Sequence, residues 1–160
     1  MKSYNTVFFG TPDFAVESLN KLVKSKHNVC AVVTSVDKPA GRGRKLQSSP
    51  VKKYAEAAGI KVMQPKNLKD PRFIEELKAL NADIFTIVAF RMLPKLVWNM
   101  PPYGTVNVHA SLLPNYRGAA PINHVLINGE EETGVTTFKL RHEIDTGNIL
   151  LQKKRDHSPI

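Results

Sequence analysis

Short apolar runs alternate with segments of helical periodicity, and this alternation restricts the possible fold more than any other feature of the sequence. The run Asn5 to Phe9 stops at Gly10-Thr11-Pro12, and apolar residues then recur at helical spacing from Phe14 to Val23. Val29 to Thr34 is almost continuously apolar, as expected of a strand buried on both faces of a parallel sheet. The pattern predicts an α/β protein with a doubly wound, mostly parallel sheet.

The same alternation continues to the end of the chain. Further helices are predicted at Pro50 to Ala58, from Asp70-Pro71 to Leu80, at Pro94 to Trp98 and at Ile122 to Ile127. Further strands are predicted at Lys61 to Met63, Ile84 to Ala89, Thr105 to Val108, Val135 to Leu140 and Asn148 to Gln152. Two intervals, Ser35 to Ser49 and residues 109 to 121, are predicted to be long loops, which in compact domains are usually functional or disordered.

Composition limits the class of protein and suggests a partner. A length of 160 residues fits one domain, and no apolar run is long enough to span a membrane. The first residues show no secretory leader and the single Cys30 cannot form an internal disulfide, so a cytoplasmic location is expected. A net charge of +9 makes a polyanion such as nucleic acid worth testing as a partner. Nothing in the sequence indicates a metal site, since one cysteine and five scattered histidines form no ligand cluster.

The first strand, turn and helix carry neither the dinucleotide fingerprint nor a P-loop. Gly10, Thr11 and Pro12 can still place backbone N–H groups at a helix N-terminus, facing an anion or a substrate. A tight turn with no ligand is the alternative. The segment therefore predicts a turn near the substrate without identifying the substrate.

Asn107 and His109 are the strongest candidates for catalysis. Residues i and i+2 of a strand share a face, and these two lie where a strand gives way to a loop. Asn107 can donate to an oxygen that gains negative charge, and His109 can carry a proton near neutral pH. Asp145, in an Asp-Thr-Gly turn, is either a turn former or a carboxylate that orients His109. An aspartic protease is a poor alternative because it requires an all-β dimer.

The interval from Asp37 to Gln47 carries four basic residues and one acidic residue. Glycines among the basic residues let their side chains approach a phosphate backbone closely, and arginine can bind phosphate with two hydrogen bonds. A solvated basic loop without a ligand is equally consistent with the composition. The basic residues in question are Lys38, Arg42, Arg44 and Lys45.

Four motifs together resemble the methionyl-tRNA formyltransferase family. They are Phe9-Gly-Thr-Pro-Asp-Phe-Ala15, Lys38-Pro-Ala-Gly-Arg-Gly-Arg-Lys-Leu46, Asn107-Val-His-Ala-Ser-Leu-Leu-Pro114 with Tyr116-Arg-Gly-Ala-Ala-Pro-Ile122, and Gly134-Val-Thr-Thr137 with Ile144-Asp-Thr-Gly147. The Asn-x-His and Asp-x-Gly pair is shared by the wider group of folate-dependent formyltransferases. The basic loop narrows the resemblance to the enzymes that act on tRNA.

The resemblance implies a Rossmann-like formyltransferase fold and formyl transfer from 10-formyltetrahydrofolate to methionyl initiator tRNA, with no metal. In this family Asn107 would hold the oxyanion, His109 would move protons and Asp145 would fix the imidazole. Folate would contact Phe90 and the segment Ser111, Leu112, Leu113 and Pro114. The loop containing Lys38, Arg42, Arg44 and Lys45 would bind the tRNA, and no obligate protein partner or membrane is implied.

The resemblance also implies that residues 1–160 are the catalytic domain, incomplete at its C-terminal end and without the OB-like tRNA-binding domain of the family. Weak or no tRNA formylation by this chain alone is therefore expected. Two alternatives remain. One is another folate-dependent amine formyltransferase, acting on a sugar nucleotide or on glycinamide ribonucleotide. The other is an RNA-binding module without catalysis, which would bind RNA in a salt-dependent way.

Overall fold

A computed structural model describes residues 2–141 and 147–156, and the chain divides into two compact units between Thr105 and Val106. The helices are α1 (Asp13–Val23), α2 (Pro50–Ala57), α3 (Pro71–Ala79), α4 (Lys95–Trp98) and α5 (Pro121–Ile127). The strands are β1 (Asn5–Gly10), β2 (Asn28–Val33), β3 (Lys38–Ala40), β4 (Lys45–Gln47), β5 (Lys61–Met63), β6 (Ile84–Val88), β7 (Thr105–His109), β8 (Glu132–Lys139) and β9 (Ile149–Asp156).

The first unit contains a parallel sheet in the order β5-β2-β1-β6. The chain runs from β1 outward through β2 to β5, and α3 then carries it back to β6 on the other side of β1. Because parallel crossovers are right-handed, this reversal places α3 on the face opposite α1 and α2. The doubly wound, parallel sheet predicted from the sequence is therefore confirmed in this unit, and the strand order reverses between β1 and β6.

Local sequence signals explain where the helices of the first unit begin and what they bury. The Asp70 side chain accepts from the Arg72 backbone N–H at 2.9 Å, so it caps α3 as predicted. Ser49 caps α2 in the same way, by accepting from the Lys52 N–H at 3.0 Å. Each helix turns a small apolar face to the sheet, whose central strand β1 is buried from Thr6 to Gly10. The largest fully buried side chains of the unit are Phe8, Phe9, Phe85, Leu19, Leu77, Val7, Val32, Val33, Val51, Val88 and Val97.

The interval Ser35 to Ser49 is not the structureless loop that the sequence predicts. It contains an antiparallel hairpin in which Lys38 pairs with Gln47, Pro39 with Leu46 and Ala40 with Lys45. The prediction was wrong because the ladder has only three residue pairs and is almost entirely exposed, so it has no apolar alternation to reveal it. We call residues 38–47 the basic hairpin.

The second unit contains an antiparallel ladder in the order β7-β8-β9, with α5 between β7 and β8. β7 pairs with β8 so that Asn107 lies opposite Phe138 and His109 opposite Thr136. Thr136 in turn lies opposite Gln152 of β9. This register brings polar side chains from all three strands close to the end of β7.

Candidate active site and basic hairpin

Asn107 and His109 lie on one face of β7, as the sequence predicts. They are two positions apart, which is the period at which side chains of a strand return to the same face. His109 is 7% exposed and Asn107 is half-buried. His109 Nε2 lies 2.7 Å from the backbone oxygen of Tyr116. Since a carbonyl oxygen can only accept, Nε2 carries the hydrogen in this bond. The side chain of Asn107 makes no hydrogen bond to any residue in the described part of the chain.

The loop that follows His109, residues 110–120, is held in place by buried hydrogen bonds. We call it the histidine loop. The Thr136 hydroxyl donates to the backbone oxygen of Ser111 at 2.7 Å and accepts from the backbone N–H of Leu113 at 3.1 Å. Gln152 Nε2 donates to the Leu113 oxygen at 2.7 Å and lies 3.0 Å from Thr136 Oγ1. The loop is thereby fixed to β8 and β9 through their side chains.

Tyr116 connects the histidine loop to the end of α5. Its hydroxyl donates to Glu130 Oε1 at 2.6 Å, and Asn128 Nδ2 donates to the same hydroxyl at 3.0 Å. The hydrogen bond to the Glu130 carboxylate raises the pKa of the Tyr116 phenol. The backbone oxygen of Tyr116 also accepts the hydrogen bond from His109 Nε2. Tyr116 therefore connects the imidazole to Asn128 and Glu130, two exposed residues that follow α5.

The four loop residues predicted to contact folate divide into two kinds. Ser111 and Leu113 are buried, and the Ser111 hydroxyl donates to the Asn115 oxygen at 2.7 Å, so both side chains support the loop. Pro114 is exposed and Leu112 is half-buried. Leu112 packs closely on Gly134, where an added Cβ would come within 2.5 Å of Leu112 Cδ2. Contact of any of the four with a ligand stays a prediction.

Asp145, the third predicted catalytic residue, lies outside the described residues, and so does its position relative to His109. The flanking Gly147 is described, and an added Cβ there would come within 1.5 Å of the Lys139 oxygen. Only glycine fits at that point. The last residue of the Asp-Thr-Gly motif is therefore one that the end of β8 requires to be glycine.

The carboxyl edge of the sheet in the first unit holds the other residues predicted from the sequence. Gly10 ends β1 beside Val88 of β6, where the strand order reverses and ligands of doubly wound folds bind. An added Cβ at Gly10 would lie 2.9 Å from the Val88 oxygen. Thr11 and Pro12 follow and lead into α1, so the predicted turn is present. Phe90 is half-buried, with its ring 5.7 Å from that of Phe9.

An open groove of about 390 Å³ lies at the same edge, formed by the segments that follow β5 and β6. Its cationic residues are Lys66, Lys69 and Arg91, and Leu68, Met92 and Leu93 supply apolar surface. Arg91 donates to the backbone oxygens of Lys66 and Pro65, which ties the two segments together. The sequence analysis did not single out this groove, because its residues come from two separate segments.

The basic hairpin exposes all of its residues except Ala40, which is half-buried. Positive φ angles at Gly41, Gly43 and Arg44 form its turn. An added Cβ at either glycine would meet nothing within 4 Å, so these glycines are required by the backbone conformation and not by space. Lys38, Arg42, Arg44 and Lys45 are exposed together on this hairpin, as the predicted phosphate-binding role requires.

The family of the chain follows from comparison with known proteins. The sequence profile of a family described as formyl transferase matches residues 4–157. The chain belongs to the formyl transferase family. The methionyl-tRNA formyltransferase of Parabacteroides distasonis is 62% identical over 155 residues, and that of Bacteroides thetaiotaomicron is 59% identical over 146 residues. These matches cover 96% and 91% of this chain but only 47% and 45% of the relatives, so the chain spans about half of their length.

Solved structures of other formyltransferases share the fold. The phosphoribosylglycinamide formyltransferase of Streptococcus pneumoniae superposes with a TM-score of 0.77 at 16% identity, covering 98% of this chain and 84% of that one. At this identity the likeness shows the fold alone. It confirms the Rossmann-like formyltransferase fold predicted from the motifs.

Two further observations concern sites of other kinds. Within residues 2–141 and 147–156, no three His, Cys, Asp or Glu side chains lie close enough together to hold a metal ion. None of the helices in the described ranges has the length and apolar character needed to cross a membrane.

Proposed function

We propose that this chain carries the formyl-transfer chemistry of a methionyl-tRNA formyltransferase, moving the formyl group of 10-formyltetrahydrofolate to the α-amino group of methionyl initiator tRNA. The observation that carries this proposal is the pairing of Asn107 and His109 on one face of β7, in a chain that belongs to the formyl transferase family. The two relatives named above supply the acceptor, since both are methionyl-tRNA formyltransferases.

In the proposed reaction the amine nitrogen attacks the formyl carbon, and the carbonyl oxygen gains negative charge. The Asn107 amide, which has no hydrogen-bond partner among the described residues, donates to that oxygen. The bond between the formyl carbon and the folate N10 then breaks. His109 moves the proton lost by the attacking amine toward the departing nitrogen.

Asp145 is proposed to complete the site by fixing and charging the imidazole, because a carboxylate close to a histidine favours its charged form. Its Asp-Thr-Gly motif is the support for this assignment. Ser111, Leu112, Leu113 and Pro114 are proposed to line the folate site through the histidine loop. Phe90, at the carboxyl edge of the first unit, is proposed as a further folate contact.

The exposed basic residues support tRNA as the acceptor. The basic hairpin presents four cations with almost no burial, which suits the phosphates of an RNA strand. The groove of Lys66, Lys69 and Arg91 suits the carboxylates of the folate donor. The chain is proposed to act in the cytoplasm, and residues 1–160 are proposed to be the catalytic domain, incomplete at its C-terminal end. The remaining half of the relatives' length is proposed to hold an OB-like tRNA-binding domain.

The competing function is formyl transfer to another amine, which the fold alone equally permits. The test supplies this chain with 10-formyltetrahydrofolate and, in turn, methionyl initiator tRNA, glycinamide ribonucleotide and an amino-sugar nucleotide. Formyl product is measured under single-turnover conditions with the chain in excess. Formylation of the methionyl-tRNA, however slow, supports the proposal, and faster formylation of either other amine contradicts it.

Two variants separate the chemistry from the choice of acceptor. Asn107→Ala removes the oxyanion donor and should slow transfer to every amine by about 10²–10³-fold. Arg42→Ala should weaken transfer only to the tRNA. If Arg42→Ala leaves transfer to the tRNA unchanged, the basic hairpin does not select the acceptor and the tRNA assignment loses its structural support.

A further inference from the structure

The basic hairpin is attached to the sheet through a small cluster of polar side chains at its base. Asp37, the residue before β3, accepts from Lys52 Nζ of α2 at 2.7 Å and from Gln64 Nε2 at 2.8 Å. Gln64 Nε2 also donates to the Ser35 oxygen at 2.9 Å. The hydroxyls of Thr34 and Ser49, at the two ends of the interval, lie 2.6 Å apart and are buried. The base is therefore joined to α2 and to the end of β5.

The hairpin itself has little that could fix its direction. Three residue pairs form its ladder, and an isolated two-stranded hairpin is marginally stable in water. Asp37 and Lys52 are more protected than the hairpin, with side chains 25% and 16% exposed. The hydrogen bond from Lys52, followed by that from Gln64, holds the pKa of the Asp37 carboxyl below its usual value.

We propose that Asp37, held by Lys52 and Gln64, is a positioning residue that fixes the direction of the basic hairpin for RNA binding. This inference rests on the proposed function, since it assumes that the hairpin binds RNA. Asp37 has no contact with the RNA in this proposal. It acts by restricting the hairpin so that Arg42, Arg44 and Lys45 meet phosphates without a further loss of conformational freedom.

Positioning by Asp37 and long-range charge predict opposite changes in the RNA affinity of the variant Asp37→Asn. Asp37→Asn removes one negative charge next to a basic surface, so long-range charge alone predicts tighter binding to RNA. If Asp37 is a positioning residue, the variant binds more weakly, by about three- to tenfold, because one or two phosphate contacts are lost. The dependence of log K on log salt also becomes shallower by about one unit for each lost contact.

The chain offers a matched control. Glu76 accepts from Lys61 Nζ at 2.7 Å, the same distance as in the Asp37–Lys52 pair, and lies on α3 away from the hairpin sequence. Glu76→Gln makes the same change of charge and shape and should leave RNA binding equal or slightly tighter. Gln64→Leu is a second variant, because it removes one of the two hydrogen bonds to Asp37 and the one to the Ser35 backbone oxygen with no change in charge.

The experiment has two readouts on the same proteins. Binding of a fluorescein-labelled RNA with the acceptor stem of an initiator tRNA is measured at several salt concentrations. Amide hydrogen exchange of residues 38–47 is measured without RNA. In Asp37→Asn and Gln64→Leu these amides should exchange about tenfold faster, while exchange in β1 and β2 stays unchanged.

The outcomes distinguish this proposal from the proposed function. Weaker RNA binding and faster hairpin exchange in both variants support it. Unchanged hairpin exchange, or RNA binding that is equal or tighter in Asp37→Asn, overturns it. If RNA binding by the unaltered chain does not depend on Arg42, the RNA role of the hairpin is overturned. In that case, faster amide exchange of the hairpin in the variants would still support the structural role of Asp37. Unchanged exchange would still overturn that role.

Discussion

The basic hairpin and the histidine loop occupy the two intervals that the sequence predicts as long loops, yet they are built in opposite ways. The hairpin exposes nearly every side chain and is fixed only at its base. The first part of the histidine loop is fixed at Ser111 and Leu113 by the side chains of Thr136 and Gln152. A polyanion can be bound by exposed charges that adjust to it, whereas formyl transfer requires one imidazole in one place. The difference matches the roles proposed for the two segments.

The largest expected effect concerns the chemistry that the histidine loop supports. Asn107→Ala should lower the single-turnover rate of formyl transfer by about 10²–10³-fold, the usual loss for an oxyanion donor. Binding of the folate donor, measured by fluorescence titration, should change much less, because the donor's hydrogen bond strengthens only as the oxygen gains charge. Equal losses in rate and in folate affinity would show that Asn107 binds the ground state instead.

The next effect tests whether the histidine loop depends on buried hydrogen bonds. Thr136→Val keeps the shape of the side chain but leaves the Ser111 oxygen and the Leu113 N–H without their partner, so we expect a loss of about 2–3 kcal/mol in unfolding free energy. Thr137→Val is the matched control. Its hydroxyl makes one exposed contact at 3.3 Å, and its loss should cost less than about 0.5 kcal/mol. Urea unfolding of the two variants measures both values.

The hairpin should show the reverse behaviour. Arg42→Ala removes an exposed cation, so RNA binding should weaken by about three- to tenfold while the unfolding free energy stays within about 0.5 kcal/mol of the unaltered chain. Fluorescence anisotropy and urea unfolding measure the two quantities. A large loss of stability would mean that the hairpin is part of the folded core and that the contrast with the histidine loop is wrong.

The smallest effect is the pH dependence of the hairpin base. Since the folded pKa of Asp37 is depressed, its contribution to stability is present above the unfolded value of about 3.9 and is lost as pH falls through the folded value. Hairpin amides in the unaltered chain should therefore gain exchange relative to β1 below about pH 4. In Asp37→Asn this additional acid dependence should be absent. An equal acid dependence in both proteins would assign it to another carboxylate.

Much of the fold could be predicted from the sequence because its signals are local. Asp70-Pro71 predicts the start of α3, and the apolar run that contains Val32 and Val33 predicts a central strand, since capping and burial act within a few residues. The basic hairpin was missed because a ladder of three exposed residue pairs needs no apolar alternation. The run Val29 to Thr34 was expected to be buried on both faces, yet Cys30 within it is half-buried, because β2 is more exposed toward its first residues.

The candidate site was predictable only in part. Asn107 and His109 could be paired from the sequence because both belong to one strand. The partners of the loop that follows them could not, since Thr136 and Gln152 reach it through the register of β7, β8 and β9. The Tyr116 backbone oxygen could not be identified as the partner of His109 either, because every residue has a backbone oxygen and the sequence does not distinguish one from another.

The chain of contacts through Tyr116 has a consequence for how sequence variation would affect this protein. Glu130 and Asn128 are exposed, and an inspection of burial alone would class both as replaceable. Their hydrogen bonds nevertheless hold a residue whose backbone oxygen receives His109 Nε2 and whose φ is +57°. If His109 has its proposed role, a neutral-looking surface change there would alter proton transfer at the imidazole. We therefore expect mutational tolerance in this region to follow the path of these hydrogen bonds more closely than it follows solvent exposure.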